Sequence, residues 1–324
     1  MVKKEPLVSV IVPTYGHENY IKQALDSILM QEVNFDYEIL VGEDCSPDNT
    51  RKILKEYEKL HPNKFVMIYR DKNMGARKNS QDLLHRAKGK YLASLEGDDF
   101  WTDSNKLQRQ VDFLEKNPEV IAAAHNVIII DKFGKEMNDK KYPECKDNWY
   151  TLKHYKKGIL PGQTASIVRR NIYKNKSYDL SIMNKISPKM PGDRVSAFLL
   201  VSHGKFYCFQ EPMSAYRYVS DSGTSFSAAQ KKDGIVNSLS LVEYYSAITK
   251  HAHQHIDNSE SIATIECIYL WRCVLGLITR YEGITVKTVK IAFCEIRNKK
   301  NAIVYVATNI LKLPIKYLIK KKSR

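Results

Sequence analysis

Four short runs of β-branched and apolar residues, at 8–13, 37–42, 65–69 and 91–95, alternate with stretches whose apolar side chains recur at helical spacing. That alternation constrains the fold more than any other feature, because strands alternating with helices build a mostly parallel sheet with helices on both faces. The run at 8–13 is apolar almost without a break, as a strand buried on both sides requires, and it stops at Pro13 and a polar turn. Ile21, Leu25, Ile28 and Leu29 then mark a helix beginning near Asn19. The second run ends in Glu43-Asp44 and a dense set of turn and capping residues, with Asn49 or Thr50 opening a helix that reaches Leu60. Helices over 80–87 and 106–116 and a long apolar strand over 121–130 follow. Further on, the pattern predicts a short strand at 205–209. Over 234–279, Ile235, Leu239, Val242 and Tyr245 keep helical spacing, which predicts two or three helices.

A chain of 324 residues, 43% of them hydrophobic, can bury the core of one large domain with or without a smaller appendage. The six cysteines stand far apart, with no CxxC pair and no Cys/His spacing of the zinc type, so they read as reduced thiols. Residues 1–6 lack the apolar core of a secretory signal, and a cytoplasmic location is the expectation. The formal charge of +15 is concentrated: residues 283–324 hold eleven Lys and Arg against Glu295 alone, a net +10. Over 302–322, apolar clusters alternate with lysines in runs too short to span a bilayer. Such a basic amphipathic segment is expected to lie peripherally on an anionic membrane surface, at the inner face of the cell membrane. Nucleic acid would compete for the same charge, but no binding module or aromatic-interleaved platform accompanies it, and no nucleic-acid partner is expected.

In open α/β sheets, ligands bind beyond the carboxyl ends of the strands. Three polar clusters occupy those ends here: Thr14-Tyr15, Glu43-Asp44 and Glu96-Gly97-Asp98-Asp99. The last places three carboxylates within four residues, beside Phe100 and Trp101, and that much like charge is costly unless a cation neutralises it. Hard oxygen ligands favour Mg²⁺ or Mn²⁺ shared with phosphate oxygens. Taken singly, the acidic cluster reads equally well as a solvated turn, and Glu43-Asp44 as a capping pair. Their coincidence at one sheet edge favours a nucleotide and metal site. The turn after the first strand, from Pro13 to Asn19, contains neither Gly-x-Gly-x-x-Gly nor a Walker lysine motif, so phosphate must be held by a metal and by side chains. A nucleotidyltransferase, which would carry a Gly-rich basic loop there, is disfavoured for the same reason.

Residues 9–15, 41–50, 73–79 and 95–101, in that order and spacing, resemble the successive signatures of family 2 glycosyltransferases with the GT-A fold, across about residues 6–130. The resemblance implies an inverting, metal-dependent transfer of a sugar from a nucleoside diphosphate sugar, of the UDP type. The acceptor would be a saccharide or lipid-linked saccharide in cell-surface polysaccharide synthesis. It implies that Thr14 and Tyr15 line the nucleotide pocket and that Asp44, with Glu43 beside it, meets the uracil or ribose. Lys72, Asn73, Arg77 and Asn79 would lie along the nucleotide, and Asp98 and Asp99 would hold Mn²⁺ or Mg²⁺ on the diphosphate. Glu43 and Glu96 stand where the family commonly has aspartate. The family's base is a downstream carboxylate before an apolar helix; Asp193 matches that form in part, although Gly192 precedes it, and a helix cap is the other reading of it. Arg217, ahead of a Ser/Gly-rich stretch, is a candidate diphosphate contact on a closing loop, and Trp101 and Gln163 are candidate sugar contacts. The Gln-x-x-Arg-Trp of processive members is absent, which points to one sugar per encounter. The expected division is a transferase domain over 1–225, a helical extension over 226–283 and the basic amphipathic segment over 284–324. The alternative is a catalytically silent nucleotide-sugar-binding or scaffold protein; it gives no physical reason to keep the clustered charge.

Overall fold

The computed structural model describes residues 5–139, 148–151, 164–174, 180–186, 190, 192–219 and 237–313. They separate into two compact units, one built from the described residues up to 174 and from 203–219, the other from 180–202 and 237–313. Residues 180–202, expected within the transferase domain, thus cluster with the helices that follow.

The first unit is a mixed sheet. Its strands are β1 (Val8–Thr14), β2 (Tyr37–Glu43), β3 (Phe65–Tyr69), β4 (Tyr91–Ser94), β5 (Phe100–Trp101), β6 (Val120–Ile130), β7 (Trp149–Tyr150), β8 (Val168–Arg170) and β9 (Lys205–Arg217). They are ordered β3-β2-β1-β4-β8-β6-β9-β5, with β7 also against β9. The β3-β2-β1-β4 half is parallel, as the alternation predicts. Beyond it, β8 runs antiparallel to both β4 and β6, and β5 antiparallel to β9, while β6 and β9 pair in parallel. Strands two or three residues long leave too little periodicity to be read from sequence, which is why β5, β7 and β8 are additions to the expected set.

Residue parity along β1 sorts the layers. Val8, Val10 and Val12 face a core shared with Ile21, Leu25 and Ile28 of α1 (Ile21–Leu29), Leu54 and Tyr57 of α2 (Thr50–Leu60), and Leu107, Val111 and Leu114 of α4 (Lys106–Lys116). Ile11 faces the other way, with Leu40 and Leu92, onto Leu83 and Leu84 of α3 (Ala76–Arg86). A period of two on the strands and of 3.6 on the helices makes both layers close-packed at once.

β9 is longer than the expected short strand. Its register against β6 shifts around Asn126, which stands opposite Pro212, and the ladder then resumes through Arg217. A proline that cannot donate to the ladder is tolerated at such an irregularity. The Glu211-Pro212 break in the sequence is therefore a bulge within one strand.

The second unit is helical in its described residues: α5 (Ile182–Lys185), α6 (Gly192–His203), α7 (Ser238–His255), α8 (Ser259–Ile278), α9 (Val286–Glu295) and α10 (Lys299–Leu311). Asn237, Asn258 and Thr285 accept the backbone N–H three residues on and so fix the starts of α7, α8 and α9. The helix α8 is long and apolar enough to cross a membrane, with a mean hydropathy of 1.6 and half of that window buried. At its middle the fully buried Glu266 accepts His253 Nε2 at 2.7 Å and the Arg297 amide at 2.6 Å on one oxygen. Its other oxygen accepts the Asn298 amide at 3.0 Å and Nδ2 at 2.7 Å. A carboxylate so completely bonded inside the unit ties α7, α8 and the start of α10 together, as a core helix does.

Candidate active site

The carboxyl ends of β1, β2 and β4 meet at one edge of the first unit. Leu95 N donates to Ile11 O at 2.9 Å, Gly97 N to Pro13 O at 3.3 Å, and Asp44 N to Thr14 O at 3.0 Å, so the three polar clusters are stitched side by side through their backbones. Gly97 is required at this seam. A Cβ there would stand 2.6 Å from both Thr14 Oγ1 and His17 Nδ1, closer than any side chain tolerates. His17, a residue the sequence alone gave no reason to single out, joins Thr14 Oγ1 at 3.0 Å through Nδ1 and faces Asp98 Oδ2 at 3.9 Å through Nε2.

One oxygen from each of Glu96, Asp98 and Asp99 lies within 4.8 Å of the others. Asp99 is buried; Oδ1 accepts the Arg217 amide at 2.8 Å, while Oδ2 has no hydrogen-bond partner. Loss of water, then the charges of Asp98 and Glu96, push its carboxyl well above the usual carboxylate range. An orphaned, buried carboxylate oxygen beside two more carboxylates fits a hard divalent cation, whose charge would offset that cost.

Arg217 is the clamp on this turn. It is buried at the end of β9 rather than carried on a mobile loop, which corrects the expectation of a closing arginine. Nε donates to Asp98 O at 2.9 Å, one Nη to Asp131 O at 3.0 Å and the other to Gln23 Oε1 at 3.0 Å, and the guanidinium stacks 4.3 Å over the Tyr20 ring. With three guanidinium N–H groups given to the protein, it shapes the acidic turn and supplies nearby positive charge.

The other expected residues divide by what their atoms touch. Asp44 is buried and accepts Met74 N at 2.8 Å and Gly75 N at 2.9 Å, which pulls the loop after β3 onto the same edge. Each of its oxygens keeps a second acceptor site. Asn73 Oδ1 also accepts Gly75 N at 2.8 Å, and Gly75 takes the φ of 87° that the turn into α3 requires. Tyr15 and Arg77 are half-buried, and Lys72 and Asn73 are exposed on that loop.

Two residues placed along the nucleotide by the resemblance also brace the sheet edge. Glu43 is fully buried, its oxygens taken by the Arg51 guanidinium and by Ser46 N at 2.6 Å, and Arg51 also donates to Arg70 O. Asn79 is buried, donating to Gly42 O at 2.7 Å and accepting from Arg70 at 3.3 Å. Both are buried and bonded within the protein, where they brace the edge that carries Asp44. Trp101 is likewise corrected: it is 1% exposed, donates Nε1 to Ala165 O at 3.0 Å and lies 4.3 Å under the Lys106 ammonium, so it belongs to the core and meets no sugar. Gln163 lies outside the described residues. Asp193 belongs to the helical unit, exposed in the first turn of α6, where its Oδ1 accepts the Arg194 amide at 2.7 Å. Atoms of the surrounding chain still withdraw enough water to push its pKa up from the ordinary aspartate value.

A parallel half-sheet closed by antiparallel strands, with polar clusters and an acidic turn at the strand ends, defines a GT-A-type transferase fold. Residues 9–176 match the family described as Glycosyl transferase family 2, and the chain belongs to that family. It is 39% identical over 114 residues to the putative teichuronic acid biosynthesis glycosyltransferase TuaG of Bacillus subtilis, covering 35% of this chain and 44% of that protein. It is 30% identical over 129 residues to the putative glycosyltransferase EpsE of the same organism, covering 40% and 46%. An uncharacterized protein of Mycobacterium tuberculosis is 38% identical over 136 residues, 42% of this chain and 39% of its own length. The chain thus spans less than half the length of these relatives. Among solved structures, Staphylococcus aureus TarS 1-349 in complex with UDP-GlcNAc shares the fold with a TM-score of 0.62 at 16% identity, over 94% of this chain and 92% of that one. The mannosyltransferase PcManGT of Pyrobaculum calidifontis, in complex with GDP-Man and Mn²⁺, does so with a TM-score of 0.53 at 15% identity, over 97% and 83%.

Proposed function

We propose that this chain moves one sugar, with inversion, from a nucleoside diphosphate sugar of the UDP type to a saccharide or lipid-linked saccharide acceptor in cell-surface polysaccharide synthesis. The observation that carries the reading is Asp99 Oδ2, buried and without a hydrogen-bond partner beside Asp98 and Glu96, at the sheet edge shared with Thr14 and Asp44. Structural neighbours in complex with UDP-GlcNAc, and with GDP-Man and Mn²⁺, support a sugar nucleotide and a divalent cation.

In this reading Asp98 and Asp99 hold Mn²⁺ or Mg²⁺, with Glu96 near enough to contribute. A cation bound there would neutralise charge on the departing diphosphate, the electrostatic part of the barrier. Thr14, Tyr15, Asp44 and the loop bearing Lys72, Asn73 and Arg77 line the nucleoside. Arg217 keeps Asp98 and Asp99 aimed. Asp193 takes the proton from the acceptor hydroxyl as that oxygen attacks the anomeric carbon, and its raised pKa brings it closer to the range where a base is effective. The family's single-base pattern implies inversion.

The test is nucleoside diphosphate release from a panel of sugar nucleotides, with and without Mn²⁺, for the wild type and Asp99→Ala, together with donor binding by calorimetry. Release that needs the metal and is lost in the variant is expected. Donor binding that is unchanged by EDTA and by the substitution would falsify the metal role. Donor binding without any release would leave the silent binding protein as the better account.

A further inference from the structure

We infer that the outer faces of α9 and α10 form a docking surface for an anionic lipid bilayer. On α9, Val286 and Ile291 are 57% and 47% exposed, and the exposed Lys287 and Lys290 lie between them on the same side of the helix. On α10, Ile303, Val304 and Leu311 are 51%, 58% and 87% exposed. The exposed Lys299, Lys300 and Lys312 stand at the two ends of that helix.

Single exposed aliphatic side chains are ordinary on any protein. Val304 and Leu311, seven residues apart, share one face of α10, and Val286 to Ile291 span an arc of about 140° on α9, while the sides through Ala292 and Ala302 are buried within the unit. An apolar stripe flanked by lysines is the pattern of a helix lying in a membrane interface, its aliphatic groups among the acyl chains and its ammonium groups reaching the headgroups.

Charge selects the occupant. Glu295 is the single acidic residue between 283 and 324, and it is turned inward, accepting Tyr269 OH at 2.9 Å, Ser246 OH at 3.3 Å and Lys250 Nζ at 2.9 Å. Glu282, the nearest exposed acid before it, precedes α9. Among the described residues of α9 and α10, the outer sides therefore carry lysines and no exposed carboxylate, and the net +10 of the sequence over 283–324 would repel the same segment of a second copy. An anionic lipid surface supplies both the negative potential and the apolar layer. The apolar helix α8 is not the membrane element in this arrangement, because Glu266 at its centre is bonded on both oxygens inside the unit. The inference stands on the helical unit alone and does not depend on the transfer chemistry.

The experiment is co-sedimentation of the full chain with vesicles of phosphatidylcholine alone and of phosphatidylcholine mixed with phosphatidylglycerol. Binding to the anionic vesicles only, weakened by added salt, is expected. The double variant V304D/L311D should lose at least about tenfold in partitioning, and K299Q/K300Q should weaken it in the same direction, since each basic residue adds to the attraction. Both pairs are exposed, and an unchanged melting midpoint separates lost docking from lost folding; if the aspartate variant unfolds, the glutamine variant decides. Equal binding to neutral vesicles, no binding by the wild type, or unaltered binding by the folded variants would each overturn the inference. So would a concentration-dependent dimer abolished by V304D/L311D, which would make a second copy the occupant.

Discussion

A buried carboxylate is tolerated only when something compensates it, and at Asp99 the protein's own share comes from Arg217, which gives its backbone N–H to Oδ1 while its side chain grips the Asp98 carbonyl, Asp131 and Gln23. Removing three side-chain hydrogen bonds, each worth about 1 kcal/mol, should loosen the turn more than the fold. Arg217→Ala is therefore expected to lower kcat/KM about 100-fold and to raise the Mn²⁺ concentration needed for half-maximal rate. Arg217→Lys should restore charge but not the forked geometry, and so recover only part. A metal requirement unchanged in Arg217→Ala would rule out the clamp. The sequence showed the acidic turn plainly, because carboxylates crowded at a strand end are unusual whatever surrounds them. It did not show Arg217 as a support, since a lone arginine before a Ser/Gly-rich stretch reads the same whether its fork meets phosphate or carbonyls. Trp101 fails similarly: adjacency to the acidic residues suggested a ligand contact, and the two-residue strand β5 turned its ring into the core.

At the scale of elements, α4 carries the most unusual charge in the chain. Lys106 is completely buried, bonded to Gln110 Oε1 at 2.8 Å and set over Trp101, and burial lowers its pKa from 10.5 to about 7. Below pH 7 both folded and unfolded chains carry the proton, and the folded state bears the full cost of an interior ammonium. Above it the folded lysine is neutral while the unfolded one stays charged, so this residue makes stability rise with pH by about 1.4 kcal/mol per unit until the unfolded pKa is reached. Lys106→Met should remove that slope. The wild type is expected to gain on the order of 2 kcal/mol relative to the variant between pH 7 and 9, followed by urea unfolding. Parallel profiles for the two proteins would mean that Lys106 stays protonated throughout. The borders of the first strands and helices were legible because β-branched runs and helical periodicity are local signals. The bulge in β9 was not, since Pro212 marks a strand end unless a partner with shifted register stands opposite it.

At the scale of the whole molecule, the proposed donor and metal groups belong to the sheet unit, and the proposed base, Asp193, belongs to α6 of the helical unit. Asp193→Asn should accordingly leave donor binding within about twofold while lowering transfer at least about 100-fold, the size expected for a general base. Because the Asp193 pKa is raised, its protonated and inactive form persists to higher pH than for an ordinary aspartate, so the acidic limb of kcat/KM should lie above that value and vanish in the variant. Loss of donor affinity in Asp193→Asn would argue for a structural role, as the helix cap it also resembles. The sequence by itself determined the alternation of strands and helices, the three polar strand ends, the family signatures and the uneven charge, since each depends on residues close together in the chain. Tertiary structure decided which of those polar atoms remain for a ligand. Glu43, Asn79 and the Arg217 amide are bonded to partners 8, 9 and 118 positions away, and Asp99 Oδ2 has none. Burial and hydrogen-bond partnership are properties of the packed chain, fixed only when distant segments meet.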